Sequence, residues 1–311
     1  MTNKPVIQRY LSTEHLNRAI QDMKPVIKLL NSSYGEFSLQ LREDYFNIYY
    51  QGNSAAKVQF NAGGTYSAII HYKFVEEILE SLNKYSDIKQ TLEKRNSNGY
   101  CRFKIQPKNL HGFFQRAHLQ RLSGNIRKVH NGEEITMEQV IVTDNPPNRN
   151  FIIIDRQVAD HEDFARVDLL GLKRDSNNKY HFVAIELKLG RNPELKEAAG
   201  AQVNRYIEHI RKHIADYSEC YEINYSQKKK LGLFDEELPG LLPDSIEINK
   251  DMGSVKGIVI SSGYSRLAKD SIKSLEDVIK NNGWHIRAHQ MQPMNLEHIM
   301  ESILGDDRAE S

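Results

Sequence analysis

The chain has 311 residues, 39% hydrophobic and 27% charged, with a formal net charge of +1. That composition suits one elaborate or two ordinary globular domains, and it excludes a disordered tail and a polycation whose overall field would attract nucleic acid. No run of about 18 apolar residues marks a membrane span. The amino-terminal segment lacks a secretory signal, and Cys101 and Cys220 lack metal-ligand spacing, so a reduced, cytoplasmic setting without membrane attachment is expected.

Residues 5–31 are expected to be helical, because Leu16, Ile20, Met23, Ile27 and Leu30 recur at helical spacing. Next come EFSLQL, YFNIYYQ, AAKVQFN and YSAIIHYKF. They are rich in aromatic and branched residues and separated by turn signals such as Gly52-Asn53 and Gly63-Gly64, which predicts strands. A helix over 74–85 closes an amino-terminal α+β domain, set at residues 1–104, with a substrate-binding or regulatory role. A second domain, 105–300, opens with a helix over 109–121. EQVIVTD and FIIIDRQ are read as strands joined by the turn at Asn145-Pro146-Pro147-Asn148.

ARVDLLGLKR and YHFVAIELKL form a hairpin around Asp175-Ser176-Asn177-Asn178-Lys179. Asn192-Pro193 supplies a cap and a first-turn proline for a helix running to Tyr217. After a polar stretch come the buried strand VKGIVISS, an amphipathic helix over 265–281, the strand WHIRAHQM and a polar tail, 301–311. The order implies an α/β fold.

The hairpin carries the chemistry. If its loop is centred on Asn177, Asp168 sits opposite Glu186 with its side chain on the same face, and Lys188, two residues on, points the same way. Ile185 and Leu187 point into the core on the other side. Two neighbouring carboxylates are costly to bury unless a cation joins them. Mg²⁺ accepts one or two carboxylates, keeps several waters and leaves room for a substrate phosphate. Beside it, Lys188 would act as a point charge on the water or the phosphate. Gln202, at the border of the next helix's buried face, looks back at the sheet, with Arg205 and Tyr206 near the same rim.

These residues resemble the PD-(D/E)XK nuclease superfamily: Asp168, then Glu186-Leu187-Lys188 after the hairpin loop, then Gln202 on the next helix, over residues 105–292. The resemblance implies a restriction-endonuclease-like mixed β-sheet core flanked by helices. It also implies Mg²⁺ or Mn²⁺ held by Asp168, Glu186 and the carbonyl of Leu187, with Lys188 assisting the nucleophile. The expected activity is endonucleolytic hydrolysis of DNA in genome defence or repair, with a homodimer for double-strand breaks. Two departures stand out. Val167 replaces the proline, and FFQRAHLQR offers Gln115 and His118 where many members carry a helix acid. Glu133, Glu134, Glu138 and the Asp160-His161-Glu162-Asp163 cluster are the substitutes on offer.

Rival readings are an RNA-cleaving or nucleotide-activated nuclease with the same centre, a catalytically silent nucleic-acid-binding protein of the same fold, and an unrelated α/β enzyme. The structural alternative for the three residues is an exposed ion-pair cluster, which the apolar runs VDLLGL and FVAIEL oppose. Basic groups at Arg116, Arg121, Arg127 and Lys128, at Arg205, Arg211 and Lys212, and at Lys228 to Lys230 read first as solvated faces. His209 and His213 read as a helix face without a third ligand. Gly63-Gly64-Thr65 reads as a turn. The tyrosines around Tyr45 to Tyr66 read as core or interface before base stacking, and Ser261 and Ser262 lack a nucleophile-elbow context.

Overall fold

The computed structural model describes residues 5–130, 132–159, 166–234 and 242–291. Helix α1 (Thr13–Asp22) starts at Ser12, whose hydroxyl accepts from the His15 amide, and α2 (Lys24–Asn31) follows. One helix was expected here. Pro25 divides it, because proline has no N–H to donate to the preceding turn yet suits the start of a new helix.

Strands β1 (Phe37–Arg42), β2 (Tyr45–Tyr50), β3 (Asn53–Phe60), β4 (Tyr66–His71) and β5 (Tyr100–Ile105) form an antiparallel meander in chain order. In β5, buried Cys101, Phe103 and Ile105 alternate with exposed neighbours, as a half-buried sheet requires. Two short helices, α3 (Tyr72–Val75) and α4 (Leu79–Asn83), replace the single one expected over 74–85.

After β5, α5 (Leu110–Phe113) and α6 (Arg116–Val129) bury Leu110, Phe113, Leu119, Leu122 and Ile126 in the same core as the meander. The boundary drawn near residue 105 falls at the end of β5, while the first core continues to Ile126.

Helix α7 (Glu133–Asp144) corrects the strand expected at EQVIVTD. The β-branched run Val140, Ile141 and Val142 suggests a strand locally. Packing decides otherwise: Ile141 buries against Leu169, Ile185 and Leu187, and a buried aliphatic side chain contributes about 1.5–3 kcal/mol, more than the propensity difference.

The second sheet contains β6 (Phe151–Val158), β7 (Val167–Arg174), β8 (Tyr180–Leu189), β9 (Lys256–Ser262) and β10 (Ile286–Met291), in the order β10-β9-β8-β7-β6. β6, β7 and β8 are antiparallel, whereas β9 runs parallel to β8, and β10 to β9. Asn192 caps a 3-10 turn at Pro193–Lys196, followed by α8 (Ala198–Lys212), α9 (Ile214–Leu231) and later α10 (Ser265–Asn281).

The helix expected to end at Tyr217 is thus a turn and two helices. The polar stretch expected beyond it is largely α9, which buries Tyr217, Cys220, Tyr221 and Tyr225 and ends on left-handed Gly232. Val203, Ile207 and Leu275 from α8 and α10 cover one sheet face through Leu170, Phe182 and Ala184. Helix α8 lies so close to β9 that a Cβ on Gly257 would meet Val203 Cγ1 at 2.5 Å. The result is a mixed α/β protein with two five-stranded sheets.

Buried charge joins the two units. Arg42 of β1 donates to Asp155 of β6 at 2.7 Å, and Tyr221 donates to the other carboxylate oxygen at 3.0 Å. Lys228 donates to Gln40 at 2.6 Å and to the Ile154 carbonyl. Each buried charge has a partner, as its desolvation demands. No helix among the described residues is long and apolar enough to cross a membrane. The tail at 301–311 lies outside the described residues.

Candidate metal centre

The β7–β8 hairpin closes on Asp175, whose carboxylate accepts from the amides of Asn177 and Lys179 at 2.8 and 2.9 Å. The turn fixes the register from Arg174↔Tyr180 to Leu169↔Ile185. Continuing it by one residue sets Asp168 against Glu186, on the face that carries Leu170 and Ala184 into the α8–α10 core. At this end the ladder opens, and the Leu187 amide donates to Asp168 Oδ2 at 2.9 Å. A strand residue's N–H and C=O leave by the same edge, so the Leu187 carbonyl faces β7 as well. Its side chain packs on the opposite face.

Glu186 is 1% exposed. One of its oxygens lies 3.0 Å from Lys188 Nζ, while Oε2 has no hydrogen-bond partner among the described residues. An orphaned carboxylate oxygen at this depth is expensive. Burial first, then the charge of Asp168, pushes the Glu186 carboxyl up to about 8. Burial also raises Asp168, to about 6, against the Leu187 amide and with Glu138 adding to the rise. For Lys188, burial works against the charge, but Glu186 and Glu194 hold its ammonium above the usual lysine range; Glu194 lies 3.0 Å away.

Helix α7 brings two further acids to the same place. Glu134 and Glu138, one turn apart, line a cavity of about 350 Å³ together with Asp168 and Lys188. Glu134 accepts from the Leu189 amide at 3.1 Å and from the Asn192 side chain at 2.8 Å. Glu138 is bound more tightly, by Arg156 at 2.8 and 2.6 Å and by Gln157 at 2.7 Å. Glu133 faces elsewhere, toward Arg191 and Tyr264. Asp160, His161, Glu162 and Asp163 lie outside the described residues.

Gln202 stands one step back from the carboxylates. Its amide donates to the Arg166 carbonyl at 2.9 Å, two residues before Asp168, which steadies the start of β7. Reading the 133–144 segment as a helix would have singled out Glu134 and Glu138 by their one-turn spacing. No sequence signal placed Asn53 and Ser54, at the start of β3, in the cavity wall.

Among the described residues, no group of three or more His, Cys, Asp or Glu side chains is gathered as a metal site. The donor set is instead two carboxylates and a backbone carbonyl. Such a set fits Mg²⁺ or Mn²⁺, which retain waters and need few protein ligands, and the unpartnered Oε2 of Glu186 is an oxygen that a hard cation would satisfy.

The other sequence candidates lie apart. Lys228 is buried, Lys229 binds Asp244, and Arg211 binds Glu208. His209 packs beside Tyr217, and Phe46, Tyr49, Tyr50 and Tyr66 are buried. Comparison of the chain with protein-family models, curated proteins and solved structures finds no match.

Proposed function

We propose that this protein is a divalent-metal-dependent nuclease of the PD-(D/E)XK kind, with a restriction-endonuclease-like core, acting on DNA phosphodiesters. The observation that carries this reading is the convergence at one sheet end of Asp168, Glu186 and Lys188, with a buried carboxylate oxygen left unpartnered. Two acids driven this far toward the neutral form are a characteristic of functional sites.

Asp168, Glu186 and the Leu187 carbonyl would hold Mg²⁺ or Mn²⁺. When bound, the ion supplies neutralising charge for a phosphate and acidifies a water. Lys188, 3.0 Å from Glu186, would supply a point charge to the attacked phosphate. Glu134, only half-buried, is the helix acid best placed to join the centre, because Glu138 is committed to Arg156. Gln202 keeps the start of β7 in place and is a positioning residue. A cation held beside Lys188 suits a phosphodiester of nucleic acid as the partner.

The test is incubation of purified protein with plasmid, linear DNA and RNA in Mg²⁺, Mn²⁺ or EDTA, beside Asp168→Asn and Lys188→Ala. Metal-dependent DNA cleavage lost in both variants supports the reading. Cleavage surviving both substitutions removes the site assignment, and binding without cleavage of any substrate points to a silent fold.

A further inference from the structure

Resting on the nuclease reading, we infer that the substrate is single-stranded DNA, one nucleotide of which enters a walled cavity, in preference to an intact duplex. At about 350 Å³, the cavity lies at the lower end of the small-ligand range of about 300–1,000 Å³. That is room on the order of one nucleotide.

Both units build its walls. Gly52, from the turn between β2 and β3, and Asn53 and Ser54, which open β3, line it with the acids of α7, while Asp168 and Lys188 lie at the sheet end. The turn is pressed onto α7. A Cβ on Gly52, whose φ is +75°, would stand 2.7 Å from Ile135 Cγ2 and 3.4 Å from an Arg156 nitrogen. Ser54 donates to Asn47 at 2.8 Å, and Asn53 donates to the Gln51 carbonyl at 3.1 Å, so the turn is tied to its own strands. Behind it, Arg156 is 1% exposed and held by Glu138. Ile135 and Arg156 thus back the wall at Gly52.

A duplex keeps its phosphates on a convex surface, which a wall facing Asp168 and Lys188 opposes, whereas a free strand can bend one nucleotide into the cavity. Enzymes that work on a buried nucleotide of duplex DNA extrude it for the same reason, and an already single strand avoids the unpairing cost. Arg166, exposed at the rim and held there by Gln157 at 3.3 Å, offers a cation to a flanking phosphate. A single strand needs one centre per cut, which lifts the requirement for a homodimer that duplex cleavage carries.

The experiment offers one sequence as a single strand, as a blunt duplex and as a duplex with a single-stranded flap, in Mn²⁺, with products followed on denaturing gels. Single strand and flap are expected to be cut about tenfold faster than duplex, or more. Ser54→Trp, which fills the cavity mouth, should slow single-strand cleavage by a similar factor while Mn²⁺ affinity and Tm stay at wild-type values. If the variant's Tm falls, the comparison of substrates on the wild-type protein decides alone. Equal or faster cutting of the duplex overturns the substrate inference and leaves the nuclease reading standing, as does a folded Ser54→Trp that cuts single strands at the wild-type rate. No cleavage of any substrate overturns both.

Discussion

Replacing Glu186 by Gln removes a negative charge that burial makes costly. The folded carboxyl is raised from the ordinary 4.5 to about 8. Its contribution to stability is therefore fully present below the ordinary value and is lost as pH rises through about 8. Glu186→Gln should leave the Tm of metal-free protein nearly unchanged at about pH 4 and raise it at about pH 9, by about 2–4 °C for each kcal/mol regained. Differential scanning calorimetry of both proteins across this range checks the sign. Taking the difference between them removes the opposing effect of Lys228, which burial lowers to about 8.

Lys188 is predicted to behave differently. Lys188→Ala should lower kcat about 10²–10³-fold while Mn²⁺ binding persists, since the carboxylates remain. Loss of binding together with activity would make Lys188 a structural group.

At the scale of elements, the β7–β8 hairpin was legible in the sequence, because a polar loop with Asp175 interrupts two apolar runs and period-two alternation fixes which side chains share a face. Helix α7 was not legible. Its branched residues resemble a strand, and what makes it a helix is a contact between Ile141 and three residues distant in sequence. The same misreading hid the one-turn spacing of Glu134 and Glu138, so the acids that share the cavity with Asp168 were named only as alternatives. Helix α9 was hidden for another reason. Lys228, Lys229 and Lys230 resemble a solvated patch, yet Lys228 is buried by partners on β1 and β6 that no local pattern announces.

The two α7 acids also differ in what they hold. Glu138→Ala leaves Arg156 buried without its counter-charge and should cost about 3–5 kcal/mol. Glu134→Ala removes two partly exposed hydrogen bonds and should cost about 1 kcal/mol, while reducing cleavage if Glu134 joins the centre. Urea denaturation with parallel activity assays separates the two. Equal destabilisation would contradict the different burial of the two carboxylates.

For the whole molecule, the seam between the sheets determines whether the units unfold separately. Asp155 is fully desolvated and receives Arg42 from the first sheet and Tyr221 from α9, with Arg9 3.7 Å away. These cations hold its carboxyl below the usual range although burial alone would raise it. Asp155→Ala should cost about 3–5 kcal/mol, and in the wild type both units should melt in one transition. Two separate calorimetric transitions in the wild type would show that the seam does not couple them. The coupling bears on function because the cavity beside Asp168 has walls from both units.

The most direct test of the metal centre is calorimetric titration of Mn²⁺ into the protein at about pH 7, in buffers of different ionisation enthalpy. Burial raises both the Glu186 and the Asp168 carboxyl, so metal-free protein holds protons there that binding must expel. The account predicts that Mn²⁺ binding releases protons, with both binding and release abolished in Glu186→Gln. Mn²⁺ binding of unchanged affinity in Glu186→Gln, or no Mn²⁺ binding by the wild type, would contradict it.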